Sequence, residues 1–241
     1  MRMEARRSGT RAAALAVSVT TVAAVCWVVA VRQMSGMDMG PGTDLGSLSF
    51  FTATWAAMMA AMMLPSAIPA VLSFDRSARG RPPAPVLFAV SYLGVWTVVG
   101  VALFFAYHGV RAAHLGFLGW SRDGAAVSGI AVVAAGLYEL APLKRACLRR
   151  CRAPADRAAP VQAGLGYAAN CIGCSAGLMF VLFVLGVMSV FWMLIVAVLV
   201  FVQKVPAWGP RLVVPVAMLL LGLGVWIAFA PSSVPGLTLP M

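Results

Sequence analysis

GLGYAANCIGCSAGLMFVLFVLGVMSVFWMLIVAVLVFVQK, residues 164–204, is the stretch that decides the fold. It runs from Gly164 to Lys204 without another charged residue. As a single helix at about 1.5 Å per residue, residues 164–202 would reach almost 60 Å, about twice the hydrocarbon thickness of a bilayer. The chain must therefore turn back, and Gly186-Val187-Met188-Ser189 is the expected hairpin. Two helices result, the second of them short.

The rest of the chain agrees with this reading. It is 62% hydrophobic and 10% charged, with a mean hydropathy of +0.93. Soluble domains carry about 25% charged residues, so there is too little polar surface to cover a globule in water. The expectation is an all-α, polytopic transmembrane helix bundle of six to seven spans. Seven is the preferred count, at 12–31, 48–73, 86–107, 125–143, 164–186, 189–202 and 212–230. The first span reads as a retained signal anchor, because it is too long for a signal-peptide core and lacks a small-x-small cleavage site. Residues 1–241 read as one integral membrane domain, with residues 1–11 as a basic cytoplasmic N-terminal tail.

Placing the N-terminus inside puts 15 of the 18 Lys and Arg residues in inner segments, leaving out Arg32, Arg111 and Arg122. This is the positive-inside pattern. It accounts for the net charge of +11 through topology and anionic lipid headgroups, so no nucleic-acid partner is expected. The lipid bilayer is the expected partner.

Several residues could carry chemistry. Cys171 and Cys174, three apart on a helix, share a face and can approach one metal ion or one redox partner together. Met58, Met59, Met62 and Met63 form a thioether cluster ahead of Pro65 and Pro69. Thioether sulfur is a soft ligand suited to Cu(I), although Met is also an ordinary apolar filler. Glu139 is an intramembrane carboxylate, costly enough to be a functional candidate; an ion pair with Lys144 is the competing reading. Cys147 and Cys151 lie four apart in KRACLRRCRAP, facing one way if the helix continues past the membrane. Depth along the helices then suggests a ladder of sulfur, with Met62 and Cys174 near the midplane and Cys147 and Cys151 below. Gly173 and Gly177, interleaved with the cysteines, would allow a close helix approach. On the outer side, Met34, Met37, Asp38 and Met39 form a soft-ligand loop, whereas His108 and His114 read as solvated loop residues.

Three motifs in order resemble a known family: W-x-x-M-x-x-A-M-M-x-P from Trp55, L-Y-E-L-x-P-L-K-x-x-C-L-x-x-C from Leu137, and the Cys171–Cys174 segment. The chain is similar to an uncharacterised bacterial family described as predicted metal-binding integral membrane proteins. The resemblance implies a location in the bacterial cytoplasmic (inner) membrane and metal residues at Met62, Met63, Cys147, Cys151, Cys171 and Cys174. Two departures stand out: Ser175 where the family pattern often carries a further Cys, and Glu139 where Gln is usual.

The functional expectation is a protein that binds, and transports or hands over, a soft metal ion, foremost copper as Cu(I). Its partner would be a metal-delivering or metal-receiving protein. A membrane thiol-disulfide oxidoreductase using Cys171/Cys174 and Cys147/Cys151 is the rival, and a scaffold subunit the third reading. No phosphate-binding loop or catalytic-triad pattern is visible, so an enzymatic role is not expected. The oligomeric state is open.

Overall fold

The structure, a computed structural model, describes residues 2–35, 45–78, 83–112, 124–153, 159–186 and 189–230. Every regular element among them is helical. In order they are α1 (Arg2–Met34), α2 (Leu48–Ser77), α3 (Pro83–Ala112), α4 (Gly124–Leu140), α5 (Pro142–Arg152), α6 (Pro160–Gly186), α7 (Val190–Lys204), a 3-10 turn (Gly209–Leu212) and α8 (Val213–Phe229). The all-α expectation holds. Five helices are long and apolar enough to cross a membrane, and the bent pair α4–α5 raises the number to six. The remaining apolar helix, α7, is 15 residues long, or about 22 Å, shorter than a hydrocarbon core. Helix α6 ends at Gly186 and α7 begins at Val190; Val187 and Met188 of the expected hairpin lie outside the described residues. Residues 2–11, expected as a tail, form the opening turns of α1.

The central helix is α2. Its most apolar stretch is 67% buried, against 11% for α1. Ser47 caps its start by accepting a hydrogen bond from Phe50 N at 3.3 Å, and the helix runs on through Pro65 and Pro69. It packs against α1, α3 and α7, whereas α6 packs against α3, α4, α5 and α7. Helices α4 and α8 form the most intimate pair. A Cβ at Gly129 would come within 2.6 Å of the Gly224 carbonyl oxygen, so close backbone approach holds this pair together.

The outer faces are apolar. Val98, Val90, Met218 and Leu219 are among the large side chains that point away from the bundle. In water such a surface would be a liability; against acyl chains it is not. Basic residues from separate helices gather at one end. Arg11 pairs bidentately with Asp75 at 2.9 and 3.1 Å, tying α1 to the end of α2. Arg76, Arg152 and Lys204 line a common cavity beside it. This is the basic end of the bundle.

Candidate metal centre

The break between α4 and α5 builds the site. Ala141 precedes Pro142, whose ring pushes the preceding residue out of the helical region; Ala141 sits at φ −62°, ψ 143°, and Pro142 opens the next helix. The two helices meet at a 60° bend. A continuous helix would have carried Cys147 and Cys151 below the other thiols, as the ladder reading supposed. The bend instead lays α5 along α6. There Cys147 sits over Gly173, where a Cβ would come within 2.5 Å of its sulfur. One turn on, Cys151 Sγ lies 3.6 Å from Cys174 Sγ.

Cys171 is fully buried on the same face of α6 as Cys174. Its sulfur receives a hydrogen bond from the Lys204 ammonium at 2.7 Å and lies 3.1 Å from the Tyr92 hydroxyl. Cys174 donates to the Cys171 carbonyl at 3.3 Å, and Ser175 donates to the same carbonyl at 2.7 Å. Four helices thus converge: α3 through Tyr92, α5 through Cys151, α6 through its two thiols and α7 through Lys204. All the cysteines are free thiols.

Lys204 and Tyr92 are the residues that sequence reasoning missed. Lys204 was counted as a charge facing the headgroups, yet it is buried and points at sulfur. An adjacent Gln203-Lys204 closing an apolar helix was a signal, because a cation so near lipid depth needs a partner.

Glu139 does not join the sulfur cluster. It forms an ion pair with Lys144, and both side chains are completely buried. Gln203 closes the triangle, accepting from Lys144 at 2.8 Å and donating to Glu139 Oε2 at 3.0 Å. This network binds α4, α5 and α7 together around the bend. Glu139 Oε1 has no hydrogen-bond partner among the described residues and faces Gly177. Breaking one member of such a buried pair would leave the other charge uncompensated.

The four Met side chains of α2 are packed in the core, each at most 1% exposed. They belong to the same apolar cluster as Cys151, Cys171 and Cys174. Met34 is also buried, whereas Met37, Asp38, Met39 and His114 lie outside the described residues. His108 stacks edge-on against Phe104.

A cavity of about 250 Å³ leads from the basic end to this cluster. Ser66 and Ser73 of α2 line one wall, and Cys151, Tyr167 and Lys204 line the other. Among the described residues, no three His, Cys, Asp or Glu side chains are already arranged around one metal position. The thiols are instead held by one another, by Tyr92 and by Lys204.

A family model described as "PpoB2: Copper chaperone" matches residues 52–227. The chain belongs to this copper chaperone family. The matched span contains every cysteine of the cluster, both buried lysines and all four α2 methionines, and excludes α1. No curated protein and no solved structure matches the chain. Membership supports a copper-related role.

Proposed function

We propose that this protein is an integral membrane copper chaperone that carries Cu(I) on Cys151, Cys171 and Cys174. The observation that carries the reading is the 3.6 Å approach of Cys151 to Cys174 across two helices, with Cys171 on the same face. Metal–thiolate bonds of about 2.3 Å allow two sulfurs on one ion to stand up to about 4.6 Å apart, so this pair is already within bridging range. Thiolates are soft ligands that select Cu(I).

Copper enters through the cavity at the basic end. Cys151 is the thiol lining it, so Cys151 receives the ion first and Cys174 and Cys171 complete the set. Each copper–sulfur bond forms as a thiol proton leaves and as a bond to the donor's ligand breaks; copper stays in the +1 state throughout. One Cu(I) with three thiolates carries a net charge of −2, one unit of which the Lys204 ammonium offsets. Lys204 also lines the cavity and can leave Cys171 without crossing the core. Tyr92 holds the Cys171 sulfur in place.

In this reading residues 1–241 form a single membrane unit of seven spans, with the bent pair α4–α5 counted as one, and its basic end lies in the cytoplasm of a bacterial inner membrane. The donor or acceptor is then a cytoplasmic copper-carrying protein or thiol. Met58, Met59, Met62 and Met63 pack the centre; Cys147 and Glu139 seat α5 and hold the bend.

The test is copper binding by purified full-length protein under reducing conditions, measured by elemental analysis and competition with a Cu(I) chelator. One copper per chain is expected, and Cys151→Ser/Cys174→Ser abolishes it. Stoichiometric copper retained by that variant would overturn the assignment.

A further inference from the structure

A second cavity, of about 530 Å³, opens on the basic end between α5 and the start of α8. Arg145, Arg149 and Arg152 stand at spacings of four and three on α5, which puts them on one face, and all three line the cavity. Arg211, on the 3-10 turn, faces them from the opposite wall. Arg150, on the same helix, does not line it.

Four arginines therefore line one space, and no acidic residue is among its described lining residues. Like charges brought together in this way repel unless an anion joins them. Guanidinium is the planar donor that matches a phosphate's oxygens in pairs. One nitrogen of Arg152 bonds the Lys204 carbonyl at 2.6 Å and the Gln203 carbonyl at 3.3 Å, tying this wall to the end of α7.

The remaining walls are apolar. Leu148 and Val213 close the inner side and are buried, whereas Val214 is 49% exposed. From Val214 an exposed apolar stripe continues along α8 through Met218 and Val225. The cavity thus offers positive charge at its mouth and a hydrocarbon track leading away from it. A free inorganic anion would use the first feature and have no use for the second.

We propose that this cavity binds the phosphodiester headgroup of an anionic membrane phospholipid, with an acyl chain lying along Val214, Met218 and Val225. The proposal rests on the membrane placement given above and is independent of copper. The lipid bridges α5 to α8. Through Arg152 it also bears on the end of α7 beside Lys204.

The experiment uses full-length protein stripped of lipid in neutral detergent. Phosphatidylglycerol, phosphatidylcholine and inorganic phosphate are titrated separately, with bound lipid counted by native mass spectrometry and melting temperature followed in parallel. Phosphatidylglycerol is expected to bind at about one per chain and to raise the melting temperature by about 3 °C. Arg145→Gln/Arg149→Gln weakens that binding at least about tenfold, and Arg150→Gln leaves it unchanged. Arg211→Gln tests the opposite wall in a separate chain should the double variant not fold, and is expected to weaken binding several-fold. Equal stabilisation by inorganic phosphate would overturn the lipid assignment in favour of a free-anion site. Equal binding of phosphatidylcholine, or equal loss in Arg150→Gln, would reduce it to non-specific adsorption.

Discussion

The middle of α2 and the junction of α5, α6 and α7 are both rich in sulfur, and the structure treats them differently. The four methionines of α2 sit among apolar neighbours at the centre of the bundle. Cys151, Cys171 and Cys174 sit where a tyrosine hydroxyl, a lysine ammonium and a cavity also converge. Soft atoms alone do not make a metal site. The cysteine junction also has a cavity, a nearby cation and thiols from two helices, which the α2 methionines lack among the described residues.

Six variants bear on that contrast. The greatest effect is expected from Lys144→Met, which strands the buried Glu139 carboxylate and destabilises the fold by about 3–5 kcal/mol in chemical denaturation. Met59→Leu, at an equally buried position, changes stability by less than about 1.5 kcal/mol. Comparable losses from both would mean that the two regions are held in the same way.

Next comes Cys174→Ser, expected to weaken Cu(I) affinity by at least about a hundredfold, about 2.8 kcal/mol, in chelator competition. Lys204→Met removes the charge beside Cys171 and is expected to reduce affinity about tenfold, with Lys204→Arg recovering part of it. An unchanged affinity in Lys204→Met would show that the ammonium serves the apo state alone. The smallest effect is expected from Met62→Leu/Met63→Leu, at no more than about twofold in copper affinity. A loss as large as that of Cys174→Ser would erase the distinction and make α2 part of the ligand set.

The helices were legible because their signal is local. Hydropathy marks residues 164–204 as two helices whatever surrounds them. The close approach at Gly173 and Gly177 was also foreseeable, since a missing side chain leaves space for a neighbour. The ladder of thiols was not correct, because the angle at Ala141 depends on what α5 packs against. Pro142 opens a new helix whereas Pro65 and Pro69 lie inside α2, and in neither case does the proline say where the next helix points. Lys204 was misread for a related reason: positive charge near a helix end ordinarily reaches for headgroups, and a buried thiol partner 33 positions away leaves no local trace.

Composition and periodicity were enough to establish a helical, lipid-compatible chain and to name its reactive residue types, because both depend on each side chain's own affinity for water. Which thiols meet, which lysine faces them and which arginines share a cavity came from the packing of α5 against α6 and α7. Those pairings join residues distant in the chain, and their geometry exists only once the 60° bend and the interhelical contacts are in place.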